Sequence, residues 1–303
     1  MGSANPSLPV DCLKYVQAPM VGISDLPFRL LVAHWGCTLT YTQMLVAPHL
    51  LTSLEFQQQT LLDLEFGRAI RHNLGSNGGS SRDPLVVAQL AGNQTEELMQ
   101  AGKVVMSLVD GIGCPQQRAL EGHYGGYLVN KTDLPLVTEL VSNLSTLPIP
   151  LLTKTRIPPS PLTPAAYALH LAQAGSSTIT LHARPVGSST KRRDLKHLRT
   201  GAVGEVKRTL VEAGFGGVGV VGNGGVRTWN DVGELTRREG VDGWMVGEEL
   251  SADFRFFTPN KPPCNPLELT TQYLDIVDLY STAVPLFSVK RHVKDFTRTN
   301  LQA

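Results

Sequence analysis

Short apolar runs recur along the chain, each bounded by glycine, proline or a polar turn. Between them lie longer stretches in which apolar residues return every three or four positions. Leu85-Val86-Val87-Ala88-Gln89-Leu90 is the clearest short run. It is nearly continuous, as a parallel strand covered on both faces requires. Tyr15–Met20, Leu39–Met44, Val109–Cys114, Pro150–Arg156, Thr178–His182, Val218–Asn223 and Asp242–Gly247 read as strands of the same kind. Helical spacing follows most of them. Ser24 reads as the cap of a helix with Pro27 in its first turn and Gly36 as its end. Leu98, Ala101, Val104 and Val105 mark a helix over 94–106, and further helices fall at 134–144, 164–173, 202–213 and 229–238. Residues 45–82 are less regular, with Ser76-Asn77-Gly78-Gly79-Ser80-Ser81 a flexible insertion.

Eight strand–helix units without a hairpin signal, in roughly 250 residues, predict a (β/α)8 TIM barrel; a doubly wound parallel sheet is the alternative. After Pro266 the pattern turns wholly helical, over 267–280 and 284–296. The expected division is a barrel over 1–258 and a C-terminal helical segment over 259–303.

Composition narrows the function classes. The sequence of 303 residues is 42% hydrophobic and 17% charged, with a net charge of +1, so no global cationic field exists to bind nucleic acid; local patches would be needed. Cys12, Cys37, Cys114 and Cys264 lie far apart, without zinc-ligand spacing, and read as reduced intracellular thiols. No apolar run reaches the length of a membrane span, and the start MGSANPSLPV carries no basic-then-apolar signal. A cytoplasmic or nuclear monomer, away from membranes, is expected.

In a barrel, chemistry collects at the C-terminal strand ends. Here those ends hold Pro19-Met20, Gln43-Met44, Gln89, Cys114, Lys154 and Arg156, His182 and Arg184, Asn223-Gly224-Gly225 and Gly247. Any one is unremarkable as a turn or loop residue. As a set they have a theme. The Gln89 amide both donates and accepts, which suits the edge of a flat heterocycle. Lys154 and His182 bring donors or charge toward an electron-rich ring. The late glycine-rich ends suit a phosphate held by backbone N–H groups and a helix N-terminus. A phosphorylated flat cofactor is implied, and FMN fits best. Gly217-x-Gly219-x-x-Gly222 matches the dinucleotide fingerprint formally, but lies inside a strand rather than after one.

Ala18-Pro19-Met20, Tyr41-Thr42-Gln43-Met44, Gln89-Leu90-Ala91-Gly92-Asn93, Gly113-Cys114-Pro115-Gln116, Gly122-His123-Tyr124-Gly125-Gly126, Lys154-Thr155-Arg156, His182-Ala183-Arg184 and Gly222-Asn223-Gly224-Gly225 occur in this order. The ordered set resembles the dihydrouridine synthase family, flavoenzymes that reduce uridine in tRNA, and is most similar to the eukaryotic branch acting on positions 16 and 17. The resemblance implies FMN on Pro19, Met20, Gln89, Lys154 and His182, with Asn223, Gly224, Gly225 and Gly247 at its phosphate. It implies NADPH as electron donor, hydride transfer to C6 of uridine, and Cys114 as the acid that protonates C5. It further implies tRNA contacts at Arg156, Arg184, Lys191, Arg192 and Arg193. The basic stretch Lys290-Arg291-His292, with Lys294 and Arg298, lies in a helical segment expected to grip tRNA.

The chain departs from the family before Gly113. Members carry an Asp-Leu-Asn-x segment between the apolar part of the fourth strand and Gly-Cys-Pro; here Ile112 runs directly into Gly113. Four residues of extended chain are worth roughly 13 Å. Drawing 106–109 out of the preceding helix would rebuild the strand and keep its alternation. Otherwise the fourth strand is short. Gly247-Glu248-Glu249 also lacks the arginine that many members carry beside the phosphate. Two other functions remain open: an FMN barrel reductase of the dihydroorotate dehydrogenase type, and a tRNA-binding relative impaired in catalysis.

Overall fold

A computed structural model describes residues 6–75, 85–114, 128–186 and 197–298. Eight parallel strands close into a barrel in chain order. They are β1 (Tyr15–Gln17), β2 (Leu39–Val46), β3 (Leu85–Ala91), β4 (Gly111–Cys114), β5 (Leu151–Ile157), β6 (Thr178–Pro185), β7 (Gly219–Asn223) and β8 (Gly243–Val246). β1 pairs with both β2 and β8, so the sheet has no edge and the doubly wound alternative is excluded. Around the strands lie α1 (Leu26–His34), α2 (Ala47–Thr52), α3 (Leu54–Gly75), α4 (Thr95–Val105), α5 (Leu134–Leu144), α6 (Pro164–Gln173), α7 (Gly201–Glu212), α8 (Trp229–Glu239) and α9 (Glu248–Ala252). Two more helices, α10 (Pro266–Leu279) and α11 (Leu286–Arg298), complete the chain. No helix among the described residues is long and apolar enough to cross a membrane.

The apolar residues form two layers. Val16, Leu39, Tyr41, Val87, Leu152, Val221 and Met245 fill the barrel interior, and a larger layer lies between strands and helices. Leu13, in a 3-10 turn at Val10–Leu13, plugs the N-terminal end and is 1% exposed. The plug explains two glycines. A Cβ at Gly243 would lie 1.7 Å from the Leu13 carbonyl oxygen, and one at Gly219 would lie 2.5 Å from Leu13 Cδ1.

Three details differ from the sequence reading. The cap of α1 is Asp25, whose Oδ1 accepts the Phe28 N–H at 3.0 Å; the Ser24 hydroxyl is engaged elsewhere. Residues 54–75 form a helix of 22 residues where no regular element was read. Among its described side chains Thr60, Leu64 and Gly67 are the buried positions, a stripe too thin to stand out in the sequence. Its hold on α1 is polar, through Arg29 and Asp63 at 2.6 Å. Third, β4 has 4 residues against 7 in β3 and in β5. Residues 106–109 are not drawn into it: α4 runs to Val105, and Asp110 Oδ2 accepts the Val86 N–H at 2.8 Å as the strand begins. Cys114 is therefore the last residue of β4, in register with Thr153, one position short of Lys154.

The helices after Pro266 pack on α1 and α9. Their anchor is polar and buried. The Tyr273 hydroxyl donates to Asp25 Oδ2 at 2.7 Å, and His292 Nε2 lies 2.9 Å from the Ile23 carbonyl oxygen and 3.4 Å from Asp25 Oδ2. Tyr273 and His292 are both 0% exposed, and the imidazole stacks on Phe28. The expected placement of His292 in a phosphate-facing basic stretch is thus overturned: positions 288, 292 and 296 form the buried face of α11. Burial and the adjacent Asp25 push the Tyr273 phenol above its ordinary range. Tyr273→Phe leaves the ring in place and removes one partner of a buried carboxylate. It should destabilise the protein by about 1–2 kcal/mol, seen as a drop of a few degrees in thermal melting.

Candidate active site

At the C-terminal rim of the strands lies a cavity of about 390 Å³. Its first wall is the β1–α1 loop. Gly22 turns there with φ 73°, a left-handed value that favours glycine. The loop is tied down from both sides. Ser24 Oγ accepts the Met20 N–H at 2.9 Å, and Gln43 Oε1 accepts the Gly22 N–H at 3.1 Å. Pro19, Met20 and Val21 thereby line the cavity. Gly247 faces them closely: a Cβ there would lie 3.1 Å from Ala18 Cβ and 3.3 Å from Met20 Sδ.

The opposite wall is cationic. Period-2 alternation places Lys154 and Arg156 on one side of β5 and His182 and Arg184 on one side of β6, with Arg156 and His182 in register. All four line the cavity. Their mutual repulsion and partial burial act together. Desolvation, and next the charge of Arg156, lower the Lys154 pKa to about 7. Desolvation, then Lys154, Arg156 and Arg184, hold His182 well below its ordinary value, so its imidazole is neutral. Arg156 is lowered by desolvation and by Arg184.

Two buried donors on these walls, Gln89 Nε2 and Arg184 Nε, have no partner among the described residues. Each costs free energy until an acceptor arrives. The late strand ends supply the third wall. Asn223 spends its amide on the Met245 carbonyl at 2.8 Å. Gly224 and Gly225 follow with φ of 94° and 81°, and a Cβ at Gly224 would lie 3.0 Å from His182 Cδ2. The cavity thus offers a cationic wall, orphaned donors and a glycine cradle. A flat, electron-rich, phosphorylated ligand such as FMN fits that donor set. Among the described residues no cluster of His, Cys, Asp or Glu could hold a metal.

The structure brings together Pro19, Met20, Gln89, Lys154, His182, Asn223, Gly224, Gly225 and Gly247, along with Arg156 and Arg184. The side chain of Cys114, and the whole of Lys191, Arg192, Arg193 and 122–126, lie outside the described residues. Sequence reasoning missed Arg227 and Ser251 and gave Glu248, Glu249 and Arg291 no place in the cavity, which all five also line. Arg227 lies two residues after the Gly224-Gly225 turn, a signal that was available. Arg291 reaches the cavity only because α11 docks on α1, and no local pattern announces that.

A family model described as Dihydrouridine synthase (Dus) matches residues 16–298. The tRNA-dihydrouridine(16/17) synthase of Saccharomyces cerevisiae is 34% identical over 175 residues, covering 56% of this chain and 38% of that protein. A similarly named protein of Mus musculus is 29% identical over 293 residues, covering 95% of this chain and 56% of its own length. The chain therefore spans about half the length of these relatives or less. Among solved structures, morphinone reductase in complex with tetrahydroNAD superposes with a TM-score of 0.52 at 11% identity, covering 86% of this chain and 90% of that one. That likeness concerns the barrel fold.

The lowered pKa of Lys154 has a measurable consequence. In the unfolded chain this lysine titrates near its ordinary 10.5, against about 7 in the folded protein. It opposes folding fully below about pH 7, and the opposition fades as pH rises toward about 10. In ligand-free protein, Lys154→Met should raise the melting temperature at pH 7, with a gain that shrinks toward about pH 10. A gain independent of pH would contradict the desolvated lysine.

Proposed function

The chain belongs to the dihydrouridine synthase family, and on that premise we propose that it reduces uridine to 5,6-dihydrouridine in tRNA, at positions 16 and 17, with FMN as cofactor and NADPH as electron donor. One observation carries the reading. Residues from six separate strand ends meet around one cavity, and its cationic wall and inward donors suit a flavin nucleotide.

When bound, FMN reduced by a hydride from NADPH would supply a hydride for C6 of the uracil and return to its oxidised form. The chain's own residues have the remaining tasks. Gln89 would give its Nε2–H to an acceptor on the ring edge. Neutral His182 and a Lys154 poised near neutrality would add donors without fixing four full charges on one wall. Arg156 and Arg184 would draw the phosphates of a substrate RNA toward the rim, and Lys191, Arg192 and Arg193 would extend that field. With a net charge of +1, affinity for tRNA would rest on such patches and weaken steeply with salt. The target base would have to leave its stack to reach the cavity. Cys114 is assigned the proton: its neutral thiol gives H⁺ to C5 and is left as thiolate.

A second reading has its own support. The short β4 places Cys114 level with Thr153, a position below Lys154, which favours a tRNA-binding relative impaired in catalysis. Purified protein should be yellow. With undermodified tRNA and NADPH the wild type should form dihydrouridine. Cys114→Ala should keep the flavin and lose the product. A colourless protein that takes up no FMN would refute the flavin reading. Flavin uptake and tRNA binding without turnover would select the impaired relative.

A further inference from the structure

The late-strand wall of the cavity is crowded with negative charge. Glu248 and Glu249 open α9 beside Gly247, and both line the cavity. A phosphate placed there meets two carboxylates. Just before helix α8, the N–H groups of Arg227 and Thr228 each donate to Asp231 Oδ2 at 2.7 Å. The capping box of Thr228 and Asp231 thus sets a further carboxylate at the start of this helix. Helix α9 is 5 residues long and begins with the two acids.

One cation stands between the two late loops. Arg227 Nη1 lies 3.0 Å from Glu249 Oε1 and 4.0 Å from Glu248 Oε2. Its side chain is 38% exposed, so water already screens these pairs and the guanidinium can turn without a large packing loss. It lies two residues after Gly225, in a loop whose left-handed turn at Gly224 and Gly225 packs closely on His182 and Leu198. A guanidinium also matches phosphate geometry with paired N–H groups, which a carboxylate-lined glycine turn cannot provide alone.

We propose that Arg227 receives the phosphate end of the flavin nucleotide, exchanging its pairing with Glu249 for the phosphate, and so makes the site select FMN over riboflavin. The proposal rests on the flavin reading above. It assigns to the β7–α8 loop the charge that Glu248 and Glu249 cannot supply. Glu249 is a competitor for Arg227, holding it at the rim until the ligand arrives.

The test uses the full chain, freed of bound flavin and titrated with FMN and with riboflavin while flavin fluorescence is followed. Wild type should bind FMN at least tenfold more tightly than riboflavin. Arg227→Gln should weaken FMN by roughly tenfold or more and leave riboflavin unchanged. Arg227→Lys should restore part of the loss, since charge returns without the paired donors. Glu249→Gln should tighten FMN by removing both a competitor and a repulsive charge. FMN binding unaltered by Arg227→Gln, or FMN and riboflavin weakened equally, overturns the assignment while the flavin reading stands. Weaker FMN binding in Glu249→Gln overturns the exchange. Wild type that binds neither flavin overturns the flavin reading and this assignment with it.

Discussion

The seam between β1 and β2 is where the barrel is thinnest, and a side chain closes it. β1 has 3 residues and a single residue pair with β2, Val16 with Leu39. Gln17 continues the seam from the side. Its Oε1 accepts the Tyr41 N–H at 2.9 Å, and its Nε2 donates to Ser24 Oγ at 2.7 Å and to the Ala18 carbonyl. The same amide therefore completes the β2 ladder and fixes the loop that carries Pro19 and Met20. Buried polar groups of this kind persist only when every partner is in place. Ser24 passes the constraint on to Met20, and its neighbour Asp25 passes it to Tyr273 and His292. Barrel closure, cavity wall and C-terminal helices form one connected system.

That connection changes what the C-terminal segment does. Its basic stretch reads as a surface for phosphates, yet α11 spends one face on Phe28 and the Ile23 carbonyl. Arg291, beside His292, reaches the cavity while also pairing with Asp295 at 2.9 Å. The segment supports the cavity from behind and contributes to its rim. Arg291, from the helices after Pro266, lines the cavity together with the strand ends, so the site is continuous across the two parts.

Electrostatics sorts the cavity into two ends. On the β5–β6 wall desolvation, joined by the charges of Lys154, Arg156 and Arg184, leaves a neutral histidine and a weakly held lysine proton. At the β7–β8 end, Glu248, Glu249 and Asp231 dominate, with Arg227 among them. An apolar cavity of this size would bind by shape alone. This one stores unfavourable charge and unpaired donors, and a ligand of complementary pattern relieves both.

Much was legible in the sequence for one reason: a parallel barrel covered on both faces writes each strand as an apolar run and each outer helix as a periodic one. Strand order, the closed topology and the strand-end residues from Pro19 to Gly247 follow from that regularity, because the C-terminal ends of parallel strands share one rim. Tertiary structure alone decided the rest. The helix over 54–75 buries too few apolar positions to be periodic in sequence, and it is held by Arg29 and Asp63 from different elements. The length of β4 was set by where Asp110 meets Val86, and not by the apolar content of 106–109. His292 turned inward and Arg291 toward the cavity because helix docking, through Asp25 and Tyr273, chooses which face of α11 is covered. Local pattern fixes which residues can share a face; only packing against distant elements fixes what that face meets.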